Sequence, residues 1–165
     1  MIIKIPLTQG KFTLVDDEDY EKIRNIKFCV HQSRNTCYAV FRISKGKMCY
    51  LHRLIMKLKK NEMCDHINGD GLDNRRLNLR IVNNSQNQMN SIKRIIKSSQ
   101  YIGVSWHNES KKWQSKIQFN HCLHYLGVFT DEMDAAKAYY EAARKLGGEY
   151  ARLNFSENLE LEAKE

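Results

Sequence analysis

The chain has 165 residues, of which 42% are hydrophobic and 28% are charged. This composition supports one ordinary domain or two small ones and argues against disorder over most of the length. Apolar runs stay well short of the roughly 18 residues that a membrane span requires. The opening segment MIIKIPLTQGKF has no apolar run of signal-peptide length, so we expect neither a membrane span nor a signal peptide.

Positive charge is the first functional indication. The chain carries 27 Lys and Arg against 19 Asp and Glu, a net charge of +8 that is spread over the body. A basic body suits a polyanionic partner such as nucleic acid. Charge alone fits an ordinary basic protein about equally well, so the motifs must decide between these interpretations.

Cysteine usage indicates the redox environment. The five cysteines are far apart and contain no CxxC pair. A disulfide framework and a structural zinc knot are therefore not expected, and a reducing cytoplasm is the predicted location.

The first fifty residues are rich in short segments of β-branched and aromatic residues. The predicted strands are IIKIPL, KFTLV, KFCVH, YAVFRI and KMCYL. The acidic run at residues 16–19 is expected to begin a short helix, because negative charge at a helix N-terminus interacts favourably with the helix dipole. We therefore do not expect this run to bind a metal. A second helix is predicted over residues 50–60 from the spacing of Leu51, Leu54, Ile55 and Leu58.

The segment CDHINGDGLDNRRLNLRIVNNSQNQMN contains the most informative pattern in the chain. It predicts a strand over residues 63–67, a loop through Arg76, a second strand over residues 79–82, and a helix that begins at Asn83 or Asn84. The order is strand, loop, strand, helix. Taken singly, its Asn and Asp residues are explained by turn formation.

Four residues of this segment suit phosphodiester hydrolysis: Asp65, His66, Asn78 and Asn87. Such a site needs a base, a cation near the scissile phosphate, and a fixed geometry between them. The carboxylate of Asp65 and the amide oxygen of Asn87 suit Mg²⁺ better than zinc. Adjacent strand residues point to opposite faces, so Asp65 and His66 can share a pocket only at a bulge or at the strand end.

Together with LHRLIM upstream, this segment resembles the HNH endonucleases of the phage and intron homing type, which are built on the ββα-metal motif. The resemblance covers residues 2–90 and implies that His66 is the general base. It implies that Asn78 braces the loop and orients His66, and that Asp65 and Asn87 hold one divalent ion. The last motif position is Asn here instead of His, which favours Mg²⁺ or Mn²⁺, with no zinc expected. His52 is left outside this catalytic set.

The C-terminal part predicts three strands, YIGVSWHN, KWQSKIQFN and CLHYLGVFT, followed by the helix DEMDAAKAYYEAARKL. With the closing LNF, this pattern resembles the AP2/ERF DNA-binding domain over residues 101–155. In that family the sheet enters the major groove. The resemblance places Ser105, His107, Lys116, Gln118 and Tyr125 on the DNA side, although the arginines usual on that face are mostly absent.

The expected architecture is an α+β fold of two modules. Residues 1–97 form the HNH module with its β-rich N-terminal region, 98–155 the AP2/ERF-like domain, and 156–165 an acidic tail. The basic connector residues Lys93, Arg94 and Lys97 are expected to follow the DNA backbone. The predicted function is site-directed, metal-dependent cleavage of double-stranded DNA. The alternatives are a DNA-binding regulator that retains a non-cleaving nuclease fold and, on charge alone, an RNA-binding protein.

Overall fold

Residues 1–33, 36–90 and 98–155 are described by the computed structural model, and they form a mixed α+β structure with small antiparallel sheets. The chain divides into two compact units, Met1–Asn84 and Ser85–Glu165. This division precedes the boundary expected at residue 98. The connector residues Lys93, Arg94 and Lys97 and the expected acidic tail lie outside the described residues. Within the described part of the chain, no helix is long and apolar enough to cross a membrane.

The first unit contains seven short strands and two helices among its described residues. In chain order they are β1 (Ile2–Pro6), β2 (Phe12–Asp16), α1 (Asp17–Ile23), β3 (Cys29–Gln32), β4 (Cys37–Ser44), β5 (Lys47–Tyr50), α2 (Leu51–Ile55), β6 (Met63–His66) and β7 (Leu79–Val82). The antiparallel sheets are β1–β2, β3–β4–β5 and β6–β7. These strands follow the segments that the sequence predicted.

The core of the first unit lies where β2, β4 and α2 meet. Val15 and Leu51 are fully buried there, and Ile55 is 4% exposed. Of the predicted apolar stripe, Leu51 and Ile55 are buried but Leu54 is 36% exposed. The helix ends at Ile55 and does not continue to residue 60. Lys57 has a φ of 51°, a left-handed conformation that an α-helix cannot contain.

The second unit begins with a short helix and continues as a sheet covered by a longer helix. Its elements are α3 (Asn84–Asn90), β8 (Val104–His107), β9 (Lys112–Phe119), β10 (Cys122–Phe129) and α4 (Glu132–Gly147). The sheet is antiparallel, in the order β10–β9–β8. The side chain of Asp131 caps α4 by accepting the backbone N–H of Met133 at 2.6 Å.

Small residues let α4 lie close to its sheet. Ala135, Ala136 and Ala143 have no exposed surface. On the sheet side, Ser115 and Ile117 of β9 are buried, and they share one face because residues two apart on a strand point the same way. Helix α4 therefore packs against one face of β9, and the opposite face of the sheet does not contact this helix.

Candidate functional site

The β6–β7 hairpin positions His66 at the end of a regular strand. Asp65 pairs with Arg80 and His66 pairs with Leu79, so β6 contains no bulge. After His66 the chain turns, and the N–H of Gly69 donates to the His66 carbonyl at 2.9 Å. Asp65 and His66 therefore occupy opposite faces of the pleat, with His66 at the strand end.

Asn78 closes the loop between the two strands. Its amide nitrogen donates to the Asp73 carbonyl at 2.8 Å and to Oδ1 of Asn68 at 3.0 Å. Its Oδ1 accepts the backbone N–H of Asn68 at 3.0 Å, and its carbonyl accepts the N–H of Ile67 at 2.9 Å. These four bonds fix the backbone that immediately follows His66.

A directed chain of hydrogen bonds orients the His66 ring. Thr13 donates its hydroxyl to the Leu72 carbonyl at 2.6 Å, and Asn74 donates Nδ2 to Thr13 Oγ1 at 2.8 Å. Asn74 Nδ2 also approaches the Gly71 carbonyl at 3.3 Å, so its Oδ1 is the atom that faces His66. Nε2 of His66 lies 3.3 Å from that oxygen and must donate to it. In the neutral ring, Nδ1 is then the proton acceptor.

Aromatic rings enclose the other sides of His66. His52 meets it edge to face, with ring centroids 5.1 Å apart, and Tyr38 lies at 5.9 Å. Tyr50 stacks on His52 at 5.3 Å. His66 itself is only 5% exposed. We call Tyr38, Tyr50, His52 and His66 the ring cluster.

Burial keeps both imidazoles of the ring cluster neutral. Desolvation lowers the pKa of His66, and the hydrogen bond to Asn74 and the nearby Asp65 only partly oppose this. Burial, followed by repulsion from His66 and Arg53, lowers the pKa of His52 to about 3. Desolvation also raises the pKa of Tyr38. A neutral His66 is the form that can accept a proton.

The two expected metal ligands fall in different units. Asp65 lies on β6, where Arg80 Nη2 is 3.2 Å from its carboxylate and both side chains are largely buried. Asn87 lies half-buried on α3, which begins the second unit. The described residues contain no group of three or more His, Cys, Asp or Glu side chains suited to a metal ion. Neither unit by itself therefore contains the complete expected ligand pair.

The outer face of the second unit's sheet collects the expected DNA-facing residues. Lys116 pairs with Tyr125 across β9 and β10, and Ser105 pairs with Gln114 across β8 and β9. Gln118 and Tyr125 are exposed, the latter at 57%. By strand register, this face comprises Ser105, His107, Lys116, Gln118 and Tyr125. The Nδ1 atom of His107 lies 2.9 Å from Ser110 Oγ in the adjoining turn.

Sequence reasoning did not identify the residues that hold His66. In the sequence, Asn74 fits a turn former, Thr13 and Tyr38 lie in predicted strands, and His52 falls outside the predicted catalytic set. Thr13, Tyr38 and His52 contact His66 or Asn74 from distant parts of the chain, so spacing along the sequence carries no signal for these contacts. Asn74 lies within the quoted motif, in DNRRLN, immediately before the adjacent arginines Arg75 and Arg76.

No family model and no solved structure matches this chain.

Proposed function

We propose that this protein is a metal-dependent DNA endonuclease of the HNH type. The observation that best supports the proposal is the state of His66, which is buried, oriented by Asn74 through one ring nitrogen, and located at the end of strand β6. A neutral, oriented imidazole can act as the general base that hydrolysis of a phosphodiester requires.

His66 accepts the proton of the attacking water in this proposal. The amide oxygen of Asn74 holds the Nε2 proton, so Nδ1 is the basic atom. Asn78 fixes the backbone that carries the ring, and His52 and Tyr38 restrict its rotation. The products, by resemblance to the family, carry 5′-phosphate and 3′-hydroxyl ends.

The donor chemistry fits a hard divalent ion. Asp65 offers carboxylate oxygen and Asn87 offers amide oxygen, which suit Mg²⁺ or Mn²⁺. Arg80 already contacts the Asp65 carboxylate at 3.2 Å, so an ion must compete with this guanidinium or share the carboxylate with it. When bound, the ion supplies charge that stabilises the departing 3′ oxygen.

The second unit positions the DNA in this proposal. Lys116 provides a phosphate contact, while Gln118 and Tyr125 offer polar and aromatic groups to base edges. Support comes from the strand register, which puts these residues on the sheet face opposite α4. The net charge of +8 favours association with a polyanion.

The direct test is incubation of supercoiled plasmid with the purified chain and Mg²⁺. Conversion to nicked or linear plasmid, abolished by EDTA, is the expected result. Binding of duplex DNA without any strand cleavage in Mg²⁺ or Mn²⁺ would favour the non-cleaving regulator instead. A preference for RNA over duplex DNA in competition would contradict the proposed substrate.

A further inference from the structure

Leu77 is unusually exposed for a large apolar side chain. Its side chain is 94% exposed. Apart from the N-terminal Met1, the large apolar residue with the next highest exposure among those described is Leu123, at 65%. Scattered exposed leucines are ordinary on protein surfaces. Leu77 differs from those because of how it is held and what lies beside it.

The backbone around Leu77 is held by hydrogen bonds and by ion pairs of the two preceding residues. It is the middle residue of a single 3-10 turn, Arg76–Asn78, closed by a 2.9 Å bond from the Asn78 N–H to the Arg75 carbonyl. Arg75 donates hydrogen bonds from Nε and Nη2 to the Asp73 carboxylate at 2.7 and 2.6 Å. Arg76 donates two hydrogen bonds of 2.7 Å to the Asp19 carboxylate. The two residues that precede Leu77 are thus anchored, while the leucine side chain projects into solvent.

This turn adjoins the candidate catalytic residue. Leu79, two residues further on, is the cross-strand partner of His66. His66 is only 5% exposed, so a phosphate must be brought inward to reach it. A straight duplex presents its phosphates at the outer radius of a stiff rod, whereas a kinked duplex can direct one phosphate into a recess.

We propose that Leu77 is a wedge that enters a base step beside the scissile phosphate and kinks the duplex so that this phosphate reaches His66. The proposal rests on the proposed nuclease function and adds a substrate-deforming residue to it. Apolar wedges of this size partly unstack a base step, and the cost is repaid by contacts that the bend allows.

The test compares an intact duplex with one that is already kinked. The probes are an oligonucleotide duplex carrying a cleavage site mapped on plasmid, and the same duplex with a short bulge beside the cut. Leu77→Ala should cleave the intact duplex about tenfold more slowly and recover most of that loss on the bulged duplex. Leu77→Phe should retain activity on both. Ile2→Ala, which truncates another exposed apolar residue of the same unit at 54% exposure, is the matched control and should cleave both normally.

Base unstacking gives an independent readout. With 2-aminopurine beside the cut site and Ca²⁺ in place of Mg²⁺, the wild-type chain should raise the probe's fluorescence and Leu77→Ala should not. The wedge proposal would be overturned if Leu77→Ala cleaved the intact duplex at the wild-type rate, or if its cleavage rate fell equally on both duplexes. Either result would leave the nuclease proposal standing. A wild-type chain that cuts no DNA would overturn both.

Discussion

The Nε2 atom of His66 lies 3.3 Å from Oδ1 of Asn74, eight residues later in the chain. Because the Asn74 amide nitrogen donates hydrogen bonds to Thr13 Oγ1 and to the Gly71 carbonyl, the amide oxygen is the atom that faces the ring. The asparagine therefore fixes which imidazole nitrogen holds the proton, and through this the identity of the basic atom. Every step assigned to His66 depends on that relationship.

Asn74→Asp should move the pH dependence of cleavage upward. In the wild type, burial lowers the pKa of His66, so activity should rise with pH through a midpoint below the unperturbed value of about 6.5. A carboxylate at position 74 stabilises the imidazolium and raises that pKa, so the midpoint should move to higher pH. Measured pH–rate profiles check this. An unchanged midpoint would mean that the 3.3 Å contact does not act on the reacting histidine.

Acid should destabilise the fold through the buried imidazoles. The pKa of His52 is about 3 in the folded chain and 6.5 without the fold, so the unfolded state binds more protons between these values. Stability contributed by neutral His52 is present above pH 6.5 and is lost as the pH falls toward 3. His52→Phe should flatten the fall of the unfolding free energy over this window, measured by denaturant titration at several pH values. His107→Phe, on an exposed turn contact, is the control and should leave the slope unchanged.

Removal of either expected ligand should raise the Mg²⁺ concentration needed for cleavage. Asp65→Ala and Asn87→Ala should both slow the reaction at low Mg²⁺, while Gln88→Ala on the exposed side of the same helix should not. Asn87→His should shift preference toward Mn²⁺, Ni²⁺ or Zn²⁺, because imidazole is a softer ligand than an amide. Normal cleavage by Asn87→Ala at limiting Mg²⁺ would place the second ligand elsewhere.

The outer face of the β8–β10 sheet can be tested without truncating the chain. Lys116→Ala should weaken DNA binding and reduce the salt slope of binding by about one. Tyr125→Ala should reduce discrimination between sites more than overall affinity. Lys137→Ala removes a 63% exposed cation from α4 and should change neither. Fluorescence anisotropy across a salt series measures these effects, and equal losses in all three variants would contradict a dedicated DNA face.

Local patterns predicted the hairpin and the buried faces because both depend on neighbouring residues. The strand at residues 79–82 and the helix-facing side of β9 follow directly from alternation. The premature end of α2 at Ile55 was not predictable, since nothing in its apolar spacing marks the left-handed Lys57. Likewise, the packing of Met89 against Ile117 and Tyr139 is set by the tertiary structure of the second unit.

In the candidate site, too, local patterns predict only some of the residues. His66, Asn78 and Asp65 could be named because they lie in one contiguous motif. The contact between Asn74 and Thr13 joins residues 61 positions apart, and His52 approaches His66 from another element. Long-range hydrogen bonds and ring contacts of this kind depend on how the sheets pack, which a single sequence does not encode in any local spacing.

The most direct test of the central claim, that His66 is the general base, is the cleavage rate of His66→Ala. It is measured at DNA concentrations that give the same bound fraction as the wild type. A general base typically contributes about 10²–10⁴-fold, so the account predicts a loss of that size in the single-turnover rate with DNA affinity nearly unchanged. A variant that binds and cleaves like the wild type would contradict the assignment of His66 as the base.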